Sequence, residues 1–119
     1  MRIFAKLMIA TTLLSLSVPA YAAGGWTAQV VPTEVELVQS GGFLLYGNFG
    51  SSGPTACSRS DAIWIAKTQP DYTEFLAVAL SAVSSQMKVK AYVHSCAMVG
   101  WVGSTFNELS GGGALRVSR

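Results

Sequence analysis

Three residues of this chain have types that nucleophilic or metal chemistry needs: Cys57, His94 and Cys96. His94 is the only histidine, and there is no third cysteine. A zinc site takes three or four ligands in a tetrahedral array. His94 and Cys96 stand two apart in "KVKAYVHSC". On a strand they would share one face with little reach between them. No CxxC or HxxxH pair is present. A serine triad would need His94 beside a G-x-S-x-G elbow. "GNFGSSG" has its glycines at the wrong spacing and lacks the lysine of a phosphate loop. A Cys–His couple would need a thiol kept free in an oxidising compartment. The leading expectation is a disulfide between Cys57 and Cys96, with metal ligation or a reactive thiol as the alternatives. Closing a loop of about 40 residues stabilises a fold by about 4 kcal/mol, against about 5–10 kcal/mol for a whole small domain.

The acids offer weaker catalysis. Glu34 and Glu36 lie on one face of a strand, about 7 Å apart. That is too adjacent to flank a glycosidic bond from opposite sides. They read as a solvated strand face or as hydrogen-bonding partners for sugar hydroxyls. Asp61, Asp71 and Glu108 are isolated. No catalytic residue, metal ligand or cofactor is assigned. Among the aromatics, Trp26, Trp64 and Trp101 stand out, with Tyr46, Tyr72 and Tyr92 beside them. Such rings fill small cores and interfaces or stack on sugars. Trp64, inside an apolar strand, reads as core.

The chain begins with Arg2 and Lys6, an apolar run from Leu7 to Val18, Pro19, and the small-x-small site Ala20-Tyr21-Ala22. This is the layout of a secretory signal peptide. It predicts a leader over 1–22 and one exported domain over 23–119, secreted or periplasmic, with no membrane span. Of the eight Lys and Arg, Arg2 and Lys6 lie in the leader. Six then remain against six Asp and Glu, a formal net charge of zero. A nucleic-acid partner would call for a basic face, and none is visible in the sequence.

The elements that must position these residues follow from periodicity. "GWTAQVVPTEVELVQ" reads as a first strand, broken or bulged near Pro32. "FLLYGNF" and "DAIWIAK" read as the second and third, separated by a glycine–serine loop. "PDYTEFLAVALSAVSSQ" is the one helix, with Asp71 and Glu74 spaced as a capping box. Its predicted core face is Tyr72, Phe75, Leu76, Ala79, Leu80 and Val83. The opposite face, Thr73, Ala77, Ser81, Ser84 and Ser85, lacks a charged coat and suits packing against neighbouring copies. "KVKAYVHSC" is the fourth strand, with Lys88, Lys90, Tyr92 and His94 on its polar face. The remainder supplies a hairpin or last strand, broken at Gly111-Gly112-Gly113. The expectation is a mainly β fold with one helix: an OB-type five-stranded barrel, its helix between strands three and four. OB barrels commonly bind oligonucleotides or oligosaccharides, and the neutral charge favours sugar.

At "ACSRSDAIW", at the helix and at "KVKAYVHSC", the chain resembles the B-subunit family of subtilase cytotoxin and typhoid toxin, in pattern more than in identity. The resemblance implies an exported OB-type barrel and a ring of five copies with helices lining the centre. It also implies sialylated-glycan binding through a serine early in strand one, and an exported enzymatic subunit as partner. Trp26-Thr27 is similar to the family's Trp-Thr start. Thr33 takes the place of the serine and Glu34 that of the acid beside it. Val30 and Val31 stand where the family has paired tyrosines. The expected site is Thr33, Glu34 and Glu36, in a non-enzymatic, glycan-binding homo-oligomer. The alternative is an envelope accessory or inhibitor protein of the same fold.

Overall fold

The computed structural model describes residues 24–50 and 57–119, the side chain at position 101 excepted. The leader expected over 1–22 lies outside the described residues, and so does most of the loop ahead of Cys57. Among the described residues eight strands and one α-helix follow in order. The strands are β1 Gly25–Trp26, β2 Glu34–Val38, β3 Gly42–Tyr46 and β4 Ala62–Ala66, then β5 Lys88–Val93, β6 Ser95–Met98, β7 Thr105–Glu108 and β8 Ala114–Ser118. The helix α1, Tyr72–Ser84, falls between β4 and β5.

The mainly β fold with one helix is as expected, but the five-stranded barrel is not found. The strands form two sheets, a three-stranded one in the order β1-β5-β8 and a five-stranded one in the order β2-β3-β4-β7-β6. Two expected strands each divide, for local reasons. The predicted first strand breaks at Val31–Thr33, because Pro32 has no N–H to give a ladder. Its first half pairs with β5 and its second half with β3. "KVKAYVHSC" breaks at His94, so β5 pairs with β1 and β8 while β6 pairs with β7. The helix therefore follows the fourth strand rather than the third.

β3 and β4 explain why "GFLLY" and "AIWIA" are apolar throughout. Phe43, Leu45, Ile63 and Ile65 face one way, into a core with Val89, Ala91 and Val93 of β5 and Ala79 and Ala82 of α1. Leu44, Ala62 and Trp64 face the other way, onto Val99 and Phe106. A sheet buried on both faces loses the alternation that marks a half-exposed strand. β5 keeps it: Val89, Ala91 and Val93 are buried while Lys88, Lys90 and Tyr92 point outward.

The helix departs from expectation in two details. Asp71 holds the N-cap position, but its side chain makes no capping bond, and the capping box with Glu74 does not form. Its ψ of 30° lies outside the extended region that aims a cap at the first free N–H groups. On the predicted core face Leu80 is 51% exposed, while Ala82 takes a buried place instead.

Candidate functional site

Strand β2 enters the sheet beside the last residue of β3. Glu34 pairs with Tyr46 and Glu36 with Leu44. The N–H of Thr33 donates to the Tyr46 carbonyl at 2.9 Å, and its hydroxyl reaches the same oxygen at 3.4 Å. Past Tyr46 the chain turns at Gly47, whose N–H donates to the Asp61 carbonyl at 2.9 Å. That bond brings the residues ahead of β4 against the end of β3. The result is a cleft of about 260 Å³ lined by Thr33, Glu34, Tyr46, Gly47, Asn48 and Asp61.

Two of the three expected residues, Thr33 and Glu34, therefore share one cleft. Glu36 is not in its lining. It lies half-buried behind Tyr46 and accepts a hydrogen bond from the Tyr46 hydroxyl at 2.5 Å. Sequence reasoning left Tyr46 among the core or stacking aromatics, took Asp61 as isolated, and missed Asn48. The strand register that sets Tyr46 against Glu34 has no signature in residue types. The bond that draws Asp61 in is made by backbone, which every residue carries.

The electrostatics follow from these contacts. Arg59 donates to both carboxylate oxygens of Asp61, from Nε at 2.9 Å and from Nη2 at 2.5 Å. Its guanidinium also lies 4.8 Å from the centre of the Phe106 ring. The Arg59 hydrogen bond holds the Asp61 carboxyl below the usual carboxylate range. Both side chains of this pair are substantially exposed, so it orients the carboxylate more than it stabilises the fold. Burial first, and the bond to Glu36 second, push the Tyr46 phenol up to about 12. A phenol normally titrates near 10. Because its folded value is raised, Tyr46 contributes stability that is full below pH ~10 and lost as the pH rises toward 12. A Tyr46→Phe difference titration at 295 nm should show one phenolate appearing near pH 12, and Glu36→Gln should bring it down. A Tyr46 that ionises near the ordinary phenol value of about 10 would contradict its burial against Glu36.

No family model, curated protein or solved structure matches this chain.

The other candidates separate clearly. Cys57 and Cys96 are joined as a disulfide, with their Cα atoms 5.6 Å apart. Neither sulfur is a thiol, which removes the Cys–His couple and both cysteine ligands of a metal site. His94 sits half-buried between β5 and β6, its ring 5.9 Å from that of Tyr92. Trp64 is core, and Trp26 is 39% exposed on the other sheet. The cleft thus offers hydroxyl, carboxamide and carboxylate groups around one edge of a tyrosine. That is a set for accepting and donating hydrogen bonds. A general acid must hold its proton near neutral pH, and Arg59 keeps Asp61 ionised.

Proposed function

We propose that this protein is a non-enzymatic, exported glycan-binding domain, similar to toxin B subunits and acting as an assembly of copies. The observation that carries the reading is the Thr33–Glu34–Tyr46–Asn48–Asp61 cleft. Carboxylates and carboxamides fixed at a shallow cleft hydrogen-bond sugar hydroxyls, and a few such groups set orientation and specificity. Glu34 repels a carboxylated sugar and Arg59 is already engaged by Asp61, so the chemistry of this cleft favours a neutral residue over a sialylated one. The disulfide suits an oxidising compartment.

The OB-type reading draws support from the connections between the sheets. Chain segments 25–38 and 88–98 each leave the three-stranded sheet and enter the five-stranded one. Counted through those two segments, the ladders link into one partly open circuit, as OB barrels do. Among the described residues no helix is long and apolar enough to cross a membrane.

Assembly is supported by the outer helix face. Thr73, Ala77, Ser81 and Ser84 are exposed there. So are Val78 and Leu80, and on β2 Leu37 is 67% exposed. Leu37 overhangs a hollow of about 510 Å³ against Tyr72 and Leu76. The same surface suits the second reading, an accessory or inhibitor protein that binds a different exported protein.

Titrating a panel of neutral and sialylated glycans should give saturable binding to a neutral member. Thr33→Lys, which fills the cleft with a long side chain, should weaken it at least tenfold. A flat panel at millimolar protein would end the glycan reading. Light scattering on a sizing column separates the two partners. A multimer favours the ring of copies, and a monomer that captures another exported protein favours the accessory reading.

A further inference from the structure

The strands of the two sheets differ in the charges they carry. β2 and β7 of the five-stranded sheet hold Glu34, Glu36 and Glu108 and no base, while Asp61 before β4 is paired with Arg59 of the same turn. The strands of the other sheet hold Lys88, Lys90 and Arg116 and no acid. The formal net charge, +2 for the whole chain and zero for the domain expected over 23–119, does not show that these three cations gather on one face.

Lys90 and Arg116 are direct cross-strand partners. Like charges placed opposite each other destabilise a ladder. Among the described residues neither forms an ion pair with a carboxylate. Both cations instead approach the same ring. Lys90 Nζ lies 4.8 Å and Arg116 Cζ 4.7 Å from the centre of Trp26. Trp26 is itself braced edge-on by Tyr92, ring centres 5.4 Å apart. Cation–π attraction of this kind is worth about 0.5–1 kcal/mol at an exposed site. It offsets part of the repulsion and holds the two charged heads in place. Lys88 extends the row along β5.

We propose that this face is a second ligand site, independent of the cleft, which takes the anionic groups of an acidic saccharide chain. Two preset cations on an open sheet meet carboxylates or sulfates that repeat along an extended sugar, and Lys88 meets the next group. Trp26 is a positioning residue for Lys90 and Arg116. A membrane surface fits less well, because the Trp26 ring lies under its cations rather than projecting toward a headgroup layer. Nucleic acid fits less well, because base stacking needs an open aromatic face and three cations neutralise few phosphates.

The test is calorimetric titration of the oxidised protein with three tetrasaccharides: sulfated heparin-derived, carboxylated hyaluronan-derived and neutral chitotetraose. The expected result is saturable binding to one or both acidic probes, weakening as sodium chloride is raised. Lys90→Gln and Arg116→Gln should each cost about tenfold, Lys90→Arg should restore binding, and Lys67→Gln, the same charge change elsewhere, should cost less than about twofold. Trp26→Leu should weaken binding although it removes no charge. The sulfated and carboxylated arms show which anionic group is read. The site is refuted if, with the cleft blocked by Thr33→Lys, acidic probes bind no better than chitotetraose, by indifference of acidic-probe binding to Lys90→Gln and Arg116→Gln, or by binding only to phosphatidylserine vesicles or single-stranded DNA. Neutral-glycan binding at the Thr33 cleft is read from the chitotetraose arm, so either site can fail without the other.

Discussion

Replacing both Cys57 and Cys96 with serine should cost about 4 kcal/mol of stability and lower the melting temperature by roughly 15–30 °C. The bridge closes 39 residues of sequence, including β4, α1 and all of β5. Its loss frees that loop in the unfolded chain, where most of the effect lies. The folded arrangement around Cys57 has other supports. The N–H of Ser58 donates to the Thr105 hydroxyl at 2.8 Å, and the N–H of Thr105 donates to the Ser58 hydroxyl at 2.7 Å. The N–H of Arg59 donates to the Thr105 carbonyl at 2.9 Å. Buried Asn107 lies against the bridge, its Oδ1 3.3 Å from Cys57 Sγ, and its Nδ2 donates to the Gly50 carbonyl. The variant should therefore keep the native far-ultraviolet spectrum at low temperature and lose only its margin. Urea unfolding of the variant and of oxidised wild type measures the difference. A change below about 1 kcal/mol would mean that the segment closed by the bridge is already constrained in the unfolded state.

That bridge was legible because it needs only residue type, an even count and the expectation of export. That the chain is mainly β with one helix was legible for a similar reason: β5 alternates, and α1 repeats its apolar residues at helical spacing. What escaped the sequence depends on partners far along the chain. Pro32 was visible as an interruption, but not that the two halves would join different sheets. His94 read as one more outward residue of a strand, although the chain turns there from β5 into β6. The candidate cleft divides the same way. Thr33 and Glu34 are neighbours in sequence and stay together. Tyr46 and Asp61 reach them through register and a backbone bond. The basic face was hidden more completely, since a net charge is a sum and cannot show that Lys88, Lys90 and Arg116 gather on one sheet.

The second large effect is expected at Gly42. The sequence reads Ser40-Gly41-Gly42 as a turn, and Ser40, with φ of 61°, does turn the chain. Gly42 is something else, the first residue of β3, paired with Val38 on one side and Ala66 on the other. A Cβ at this position would stand 2.1 Å from the Ile65 carbonyl oxygen and 2.9 Å from the Ala66 Cα. Both are backbone atoms of β4, so no rotamer change makes room. Gly42→Ala must push β3 from β4 at the centre of the five-stranded sheet, above the core built on Phe43 and Ile65. Overpacking a core costs about 1–3 kcal/mol, and more where backbone must move, so a loss of about 3 kcal/mol or more is expected in urea unfolding. Gly111→Ala is the matching control, because a Cβ there meets nothing within 4 Å, and its midpoint should stay near wild type. A Gly42→Ala protein as stable as that control would contradict the pairing of Gly42 with Ala66. The damage is also directional. Gly42 and Tyr46 sit at opposite ends of β3, about 13 Å apart, and the cleft lies at the Tyr46 end. The glycan affinity proposed for the cleft should therefore survive, in the folded fraction, a substitution that removes much of the stability, which separates the sheet's role as scaffold from the proposed binding surface.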